Sequence, residues 1–464
     1  MVWCLEGYCG MTETMSEHDL KDYKMDTIKM AEHDSQDYKI NTIKTNTVKK
    51  DTHSILDIRE SCKSCSDNGG MRGWKECELA DIAEVQTGPF GSQFKNEQYI
   101  TGGTPVVTVE HINNFRINDF KYPSVTEQDK ARLSRYLLKT GDIVFTRVGS
   151  VDLSAHVNQE QNGWMFSSRM LRVRPNDKVN SRFLSYFFQQ KSFRDYILNI
   201  SVGATMPSIN TEILKGIPVS YPPLPEQHAI ASVLSSLDDK IDLLHRQNKT
   251  LEAMAETLFR QWFVEEADAG WEEKPISFFG NIICGKTPSK QCDQYFGGNI
   301  PFIKIPDMHE RVYVMSSSDT LTEEGKSSQP NKTLPSQSIC VSCIATVGLV
   351  ALNAYESQTN QQINSIIPRQ VFYRFFLYLS MKSSVDLLHS MASGGTATAN
   401  LNTGDFSRIS LPFPGDNKLN KFHSDIEPVF AKILFNQTQI RTLEKLRDTL
   451  LPKLMSGEVR VNNV

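Results

Sequence analysis

A regular hydrophobic stripe occurs twice in the chain, with polar side chains at the positions around it. Its members recur with alternating steps of four and three residues. The first stripe consists of Ile230, Leu234, Leu237, Ile241, Leu244, Asn248, Leu251, Ala255, Leu258 and Trp262. The second consists of Phe422, Ile426, Val429, Ile433, Asn436, Ile440, Leu443, Arg447 and Leu450. A 3.5-residue repeat is typical of a coiled-coil seam, whereas a helix docked on its own domain has a broader apolar face. The pattern predicts two long helices, over 225–266 and 417–457, that pair with each other.

Proline and glycine mark the predicted ends of these helices. Pro225 suits the opening turn of the first helix, and Gly270 lies shortly beyond its end. Pro452 should stop or kink the second helix near Leu450, because proline removes a helical hydrogen bond.

The remaining segments have mixed periodicity. Short apolar runs at 105–109, 142–145 and 339–341 are bounded by Gly, Pro or Asn and predict strands. Residues 127–138 and 181–198 have helical spacing. Because strands and helices follow each other without a strict βαβ alternation, an α+β fold is expected.

The globular part of the sequence occurs twice along the chain. Corresponding segments are 74–76 and 271–273, 88–89 and 285–288, 102–107 and 297–302, 148–149 and 347–348, and 203–211 and 395–403. Repetition on this scale indicates two similar domains, at 71–224 and 267–416, since solenoid units are far shorter.

Connectivity predicts how the two helices pair. The first helix carries the chain from the first domain to the second, so a second helix that pairs with it must run back. The helices are therefore expected to be antiparallel, with one globular domain at each end and pseudo-two-fold symmetry. At about 1.5 Å per residue they separate the domains by roughly 50–60 Å, on the order of 15 base pairs of B-DNA. Asn248 and Asn436, polar at seam positions, are expected to fix the register.

Composition changes this picture little. The 464 residues carry a net charge of −4, and all of that excess lies in residues 1–70. The rest is balanced, which neither supports nor excludes DNA binding. Residues 1–70 contain a polar fifteen-residue repeat and are predicted to be a disordered extension without a function. Residues 458–464 are expected to form a tail. There is no apolar run of membrane-spanning length and no secretory signal, and the nine cysteines do not describe a disulfide framework. A cytoplasmic location is expected.

Three strings resemble catalytic or metal-binding motifs. Residues 280–287 satisfy the P-loop pattern, but Pro288 follows at once and no Asp-terminated strand is evident downstream. Asp307 with Glu324 and Lys326 resembles a nuclease site, although the first domain has no matching lysine. The cysteine pairs at 62–65 and 340–343 lack convergent partners for zinc. We therefore expect no catalytic residue, no metal and no bound cofactor in this chain.

Several strings together resemble the specificity subunit of type I restriction–modification enzymes over about residues 71–464. They are Tyr-Pro-Pro-Leu-Pro-Glu-Gln at 221–227, Gly-Lys-Thr-Pro-Ser at 285–289, and Gly-Asp-Ile-Val at 141–144 before Arg-Val-Gly at 147–149. The second helix departs from the pattern, with Leu-Pro-Phe-Pro-Gly-Asp at 411–416 before it.

The resemblance implies that the globular domains are target-recognition domains, each of which reads half of an interrupted double-stranded DNA site. It further implies that the helices set the gap and dock two methyltransferase subunits, and that motor-nuclease subunits then join. The partners would supply the chemistry of S-adenosylmethionine, ATP and Mg²⁺.

Base edges are read mainly by Arg, Lys, Asn and Gln, while other basic and hydroxyl groups position phosphates. The candidate DNA-binding residues are Ser92, Gln93, Lys95, Arg147, Ser167, Ser168, Arg169, Lys286, Ser289, Lys290, Lys304, Asn360, Gln361 and Gln362. Two other functions stay open from the residues alone. One is a self-contained nuclease or ATPase, and the other is a coiled-coil scaffold with two ligand-binding lobes.

Overall fold

The computed structural model of the chain describes residues 73–90, 93, 96–118, 121–203, 205–392 and 399–461. The predicted disordered extension at 1–70 lies outside the described residues, as do Ser92 and Lys95. All of the elements below follow Ser66 and belong to one compact unit.

The first globular domain, lobe 1, comprises residues 73–221 and mixes short strands with short helices. Its elements in chain order are β1 (Lys75–Glu78), α1 (Leu79–Ile82), β2 (Ala83–Thr87), β3 (Thr104–Val107), β4 (Ile112–Asn113), β5 (Arg116–Ile117), β6 (Ser124–Val125), α2 (Glu127–Arg132), β7 (Ile143–Thr146), β8 (Ser154–His156), β9 (Met165–Phe166), β10 (Met170–Pro175), α3 (Ser181–Gln189), α4 (Lys191–Ile200), α5 (Thr211–Lys215) and β11 (Pro218–Tyr221). Its main sheet is antiparallel, in the order β2-β10-β7-β8. A second sheet has the order β6-β3-β9, with β3 and β9 parallel.

A long helix, α6 (Leu224–Arg260), leads from lobe 1 to lobe 2, which comprises residues 271–413. The elements of lobe 2 are β12 (Glu272–Pro275), α7 (Ile276–Phe279), β13 (Gly280–Cys284), β14 (Phe296–Ile303), α8 (Ile305–Met308), β15 (Tyr313–Val314), β16 (Asp319–Leu321), α9 (Glu323–Ser327), β17 (Ile339–Ser342), β18 (Val350–Asn353), β19 (Gln358–Thr359), β20 (Ile363–Pro368), α10 (Arg374–Ser383), α11 (Val385–Ala392), α12 (Thr403–Ser407) and β21 (Ser410–Phe413). A second long helix, α13 (Asp416–Met455), follows.

The two lobes repeat one topology, which confirms the predicted α+β fold and its duplication. The order β13-β20-β17-β18 in lobe 2 matches β2-β10-β7-β8 in lobe 1, and lobe 2 adds β15 at the edge. The sheet β16-β14-β19 likewise matches β6-β3-β9, including its parallel pair. The strand pairs β1-β11 and β12-β21 close the two lobes in the same way.

One predicted correspondence between the repeats was wrong. The sequence favoured matching 148–149 with 347–348, because both read Val-Gly. The structure matches 148–149 with 344–345 instead, since residue 148 bridges to Ser208 and residue 344 bridges to the corresponding Asn400. Position 149 holds glycine and position 345 holds alanine, yet both have positive φ, at 87° and 64°. The backbone turn is therefore kept while its residue type is not.

Residues of α6 and α13 pair in opposite chain directions, which confirms the antiparallel coiled coil. Asn248 meets Asn436 in the middle of the pair, with Nδ2 of Asn436 2.9 Å from Oδ1 of Asn248. Towards the N-terminal end of α6, Arg447 binds Asp238 at 3.1 Å.

Three hydrophobic cores lie along this helix pair. The core of lobe 1 includes Ile230 and Leu234 from the start of α6 and Leu454 from the end of α13. The core of lobe 2 includes Phe259 from the end of α6 and Phe422 from the start of α13. A small core between them consists of helix residues, Ile241, Leu244 and Ile440 with Leu443 beside them. Each lobe is therefore anchored at one end of the helix pair, as expected.

The seam residues differ in burial. Those that are buried are Ile230, Leu234, Ile241, Leu244, Asn248, Ile426, Ile433, Asn436 and Ile440, and those that are half-buried are Leu237, Leu251, Leu258, Val429, Leu443 and Leu450. Beside Leu237, Asp238 is buried, and beside Leu258, Phe259 is buried. The buried stripe departs from the strict seam here because each helix end also packs on a lobe.

The sequence predicted that Pro452 ends or kinks the second helix near Leu450. The helix does not end there. Helix α13 contains both Pro428 and Pro452 and continues to Met455. Proline removes one backbone hydrogen bond, but Leu451, Leu454 and Met455 around Pro452 are buried in the core of lobe 1. Their burial holds the last turn in place.

Two predicted helices are shorter than their periodicity suggests. Within 127–138 the α-helix ends at Arg132, and a short 3₁₀ turn follows at Ser134–Tyr136. Within 181–198 the helix is divided at Gln190 into α3 and α4.

Asp238 joins lobe 1 to both long helices. Its carboxylate accepts a hydrogen bond from the Tyr186 hydroxyl at 2.7 Å and pairs with Arg447 of α13 at 3.1 Å. Arg116 of β5 lies 3.6 Å from the same carboxylate and also pairs with Asp242. Burial, followed by the nearby Asp238 charge, raises the pKa of Tyr186, so its hydroxyl stays protonated and donates. This cluster helps to orient lobe 1 on the helix pair.

Candidate nucleic-acid interface

One edge of the main sheet in each lobe collects most of the predicted DNA-binding residues. In lobe 1, β2 and β7 end where the antiparallel β10 begins, so the loops at 88–90, 147–149 and 167–169 meet there. In lobe 2, β13 and β17 end where β20 begins, which brings 285–287, 343–345 and 360–362 together. We call these two surfaces the loop edges.

Backbone hydrogen bonds hold the loop edge of lobe 1. The Gly88 N–H donates to the Met170 carbonyl at 3.2 Å, and the Arg147 N–H donates to the Arg169 carbonyl at 2.8 Å. The Ile209 N–H donates to the Arg147 carbonyl at 3.0 Å. These three bonds between the loops involve no side chain.

The loop edge of lobe 2 has the same bonds at the corresponding positions. The Gly285 N–H donates to the Ile363 carbonyl at 3.0 Å, and the Cys343 N–H donates to the Gln362 carbonyl at 2.8 Å. The Leu401 N–H donates to the Cys343 carbonyl at 2.8 Å. Arg147 thus corresponds to Cys343, and Arg169 corresponds to Gln362.

Each edge also depends on a glycine that lets two loops approach closely. A Cβ at Gly88 would lie 2.1 Å from the Ser167 carbonyl oxygen, and a Cβ at Gly285 would lie 2.2 Å from the Asn360 carbonyl oxygen. No side chain fits at these distances, so any larger residue would push the loops apart.

In lobe 1, Arg147 is held between an aromatic ring and a neighbouring loop. Its guanidinium lies 4.8 Å from the centroid of the Phe90 ring, and its Nη1 donates to the Ser168 carbonyl at 3.4 Å. Arg169 is exposed beside it. The sequence prediction missed Phe90, which is 45% exposed. An aromatic residue directly after Gly-Pro in a loop was the available signal.

Gln93 is tied to the body of lobe 1. Its side-chain oxygen accepts a hydrogen bond from the Tyr136 hydroxyl at 2.6 Å, and its carbonyl accepts one from Arg132 at 2.9 Å. These bonds leave its side-chain NH₂ group as the part that can contact a ligand.

In lobe 2, the loop after β13 carries three exposed candidates, Lys286, Ser289 and Lys290. The Lys286 N–H donates to the Thr359 carbonyl at 2.9 Å, which fixes the start of the loop beside 360–362. Since the Lys286 and Lys290 side chains reach into solvent, this edge presents positive charge.

The other candidates of lobe 2 have partners within the lobe. The Thr287 hydroxyl bonds to Oε1 of Gln361 at 2.8 Å. Lys304 follows β14 at the same edge, because the Asn360 N–H donates to the carbonyl of the preceding Ile303 at 3.2 Å. The Lys304 ammonium forms an ion pair with Asp319.

Asn360 and Gln362 hold each other. The backbone N–H of Gln362 donates to Oδ1 of Asn360 at 3.2 Å, and Nδ2 of Asn360 donates to Oε1 of Gln362 at 2.9 Å. Asn360 is buried, with 7% of its surface exposed, while Gln362 is half-buried. The orientation of the Gln362 side chain is therefore set before any ligand arrives.

The strings that resemble catalytic motifs have local structural roles. The segment after Gly285 is irregular as far as Cys292, so no helix opens at Lys286 as a P-loop requires. The carboxylate oxygens of Asp307 accept the backbone N–H groups of Lys304 and Ser318 at 2.9 and 2.8 Å.

Lys326 and the two cysteines of β17 and its following turn are engaged or buried as well. Lys326 pairs with Glu323 and Glu356 at 2.9 and 3.0 Å. Burial raises the pKa of the Cys340 thiol to about 12 and that of Cys343 to about 11. Among the residues that the structure describes, no group of three or more His, Cys, Asp or Glu side chains is arranged to hold a metal ion.

In the described ranges, none of the helices is both long enough and apolar enough to cross a membrane.

The chain is similar to a known protein family. A family model described as the type I restriction modification DNA specificity domain matches the chain twice, over residues 71–253 and 268–445. The chain is 31% identical to the HindI specificity subunit of a type I restriction enzyme from Haemophilus influenzae, over 84% of this chain and 100% of the relative. It is 28% identical to the MjaIX specificity subunit from Methanocaldococcus jannaschii, over 85% and 95% of the two chains.

A solved structure has the same fold. The crystal structure of a type I restriction-modification S subunit from M. genitalium superposes with a TM-score of 0.56 at 14% identity, over 86% of this chain and 98% of that chain. None of these comparisons supports a self-contained nuclease.

Proposed function

Because the chain belongs to the family of type I restriction–modification specificity subunits and contains the DNA specificity domain twice, we propose that each lobe binds one half of an interrupted DNA target. Subunits of this family work with DNA and with the other subunits of a restriction–modification system. In this proposal the chain selects the DNA sequence and carries out no reaction itself.

The observation that carries the proposal is the position of the two loop edges. They have the same backbone hydrogen bonds, and they belong to lobes whose cores enclose opposite ends of one antiparallel helix pair. Two equivalent surfaces on a rigid spacer suit a target with two specified halves and an unspecified gap. Helix α6 alone has 37 residues and spans about 55 Å.

The side chains at the edges suit base recognition. Exposed Arg169, Lys286 and Lys290 add positive charge for phosphates or guanine, and Gln361 and Gln362 add amide groups. Phe90 offers an aromatic face beside Arg147. Ser168, Ser289 and Lys304 complete the proposed contact surfaces.

We propose that the helix pair docks two methyltransferase subunits and that motor-nuclease subunits join the complex. These partners would bind S-adenosylmethionine, ATP and Mg²⁺. Such a complex acts where the DNA is, in the cytoplasm.

The test is to delete the coding sequence from the source cell and to map DNA methylation in the genome. We expect one interrupted motif to lose its methylation and to regain it when the chain is restored. The chain should also co-purify with a methyltransferase subunit. An unchanged methylation map, or Mg²⁺-dependent cleavage or ATP turnover by the purified chain alone, would contradict the proposal.

A further inference from the structure

The Asn360–Gln362 pair at the loop edge of lobe 2 fixes which atoms of Gln362 face outward. Oδ1 of Asn360 accepts the backbone N–H of Gln362, and an N–H group can only donate. The other side-chain atom of Asn360 must therefore be its NH₂ group, which donates to Oε1 of Gln362. The orientation of both amides thus follows from a backbone hydrogen bond whose direction is certain.

The consequence is a side chain with one kind of hydrogen-bonding atom left. Oε1 of Gln362 is bound to Asn360, and no described residue bonds to its Nε2. Gln362 is half-buried, so its NH₂ group meets whatever approaches this edge. A glutamine that binds adenine in the major groove uses its oxygen and its nitrogen together. Gln362 offers the nitrogen as a donor instead.

The corresponding position in lobe 1 has the same polarity. The Arg169 carbonyl accepts the Arg147 N–H at 2.8 Å, as the Gln362 carbonyl accepts the Cys343 N–H at 2.8 Å. Arg169 is exposed, and a guanidinium group is a donor without an acceptor. Two different residue types thus place hydrogen-bond donors at one backbone position of the repeat.

We infer that Arg169 and Gln362 determine specificity, each donating hydrogen bonds to an acceptor-bearing base edge, and that this base is guanine. Guanine presents two neighbouring acceptors, N7 and O6, in the major groove, whereas thymine presents one acceptor, O4, beside a methyl group, cytosine presents a donor, and adenine presents an acceptor next to a donor. The inference rests on the proposed function and adds the chemistry of one base pair in each half-site.

The experiment changes the outward atom of Gln362 from donor to acceptor by two independent routes. In Gln362→Glu, the carboxylate keeps the bond from Asn360 and turns an oxygen outward. In Asn360→Asp, the side chain still accepts the Gln362 N–H but has no NH₂ group for Oε1. The Gln362 amide must then turn over, with its NH₂ group towards Asp and its oxygen outward.

Each full-length variant is expressed with its methyltransferase partner in a host without other DNA methylation, and the methylated motif is sequenced. Wild type should specify guanine at one position in each half-site. Both variants should lose about fivefold or more of the preference for guanine at one position of one half-site, and should tolerate cytosine there. A correct bidentate contact contributes about 1–3 kcal/mol of discrimination, which at 1.4 kcal/mol per decade is about 5-fold to 140-fold.

The matched control is Gln370→Glu. It makes the same charge change in an exposed residue beyond the opposite end of β20, and it should leave the motif unchanged. An equal shift in Gln370→Glu, or wild-type preference in Gln362→Glu, would overturn the inference. If Asn360→Asp does not fold, Gln362→Glu decides alone. A wild-type complex that methylates no interrupted motif would instead refute the proposed function.

Discussion

Equivalent backbone positions at the two loop edges carry different side chains. Phe90 and Arg147 form a cation–π pair in lobe 1, whereas the corresponding residues of lobe 2 are Thr287 and Cys343. The Thr287 hydroxyl is bound to Gln361 instead. Lobe 1 therefore offers an aromatic and cationic surface, and lobe 2 offers amides with lysines beside them. Two different surfaces on one scaffold agree with two half-sites of different sequence.

Arg169→Ala and Lys290→Ala should each weaken specific DNA binding by the assembled methyltransferase without unfolding it. Both side chains are exposed, and neither bonds to a described residue, so their loss leaves the fold intact. Arg169→Ala should raise the Kd by about tenfold or more, as expected for a lost base contact. Binding is measured by competition at constant salt. Lys178→Ala, beyond the other end of β10, is the control. Unchanged affinity would count against either assignment.

The imidazole of His156 in β8 makes the stability of lobe 1 depend on pH. Burial lowers the pKa of His156 to about 4, and the neighbouring Arg182 charge adds to the effect. The unfolded chain has an ordinary pKa near 6.5 and therefore binds more protons between these values. Stability is thus complete above about pH 6.5 and is lost as the pH falls towards 4, by about 2 kcal/mol between pH 7 and pH 5.

Denaturant unfolding of wild type and His156→Gln at both pH values measures this contribution. His156→Gln should lose about 2 kcal/mol less stability than wild type when the pH is lowered from 7 to 5. An equal loss in both proteins would show that His156 is protonated in the folded state.

At the scale of elements, the sequence predicted what depends on periodicity. The seam residues gave the two long helices, and the repeated strings gave the two domains. Asp238 was missed because its burial depends on Tyr186 and Arg447, which are distant in sequence. Helix α13 passes through Pro452 because a tertiary contact outweighs a local preference. The loop edges were partly predictable, since residue types suggested candidates, but the Asn360–Gln362 pair depends on the folded conformation of its loop.

Single and double substitution of Asn248 and Asn436 should change the free energy of unfolding in opposite directions. Asn436→Leu leaves Asn248 buried without its partner and should lower the free energy of unfolding by about 1–3 kcal/mol. Replacing both residues with leucine brings two apolar side chains together. The free energy of unfolding of this double variant should exceed that of the single variant and that of wild type. Denaturant unfolding of the four proteins measures the coupling. Thr438→Leu, on the exposed face of α13, controls for added hydrophobicity, and additive effects would contradict the prediction.

At the scale of the whole molecule, the helix pair determines the separation of the lobes. Both lobe cores include residues of α6 and of α13, so neither lobe shifts along the helices without breaking its own core. Between the two lobe cores, Leu244 and Ile440 pack in a small core whose residues come from α6 and α13. This middle segment is where the length of the spacer can be changed without altering a lobe.

Seven residues inserted after Leu244 and seven after Ile440 should lengthen the spacer of the DNA target. One heptad keeps the seam in phase and adds about 10.5 Å, which corresponds to up to about three base pairs. The methylated motif should keep both half-sites and gain a longer gap. The same insertion in α6 alone should lower stability, because it breaks the register at Asn248. A motif with an unchanged gap would contradict the role of the helices.

The backbone bonds at the loop edges have a consequence for how such a protein evolves. Gly88 and Gly285 are constrained by space, but the three bonds that both edges share are made by main-chain atoms, which every residue possesses. Point mutations at exposed positions such as Arg169 and Lys290 are therefore largely uncoupled from folding. Exchanges at such positions can alter the surface of a loop edge while the architecture is inherited unchanged.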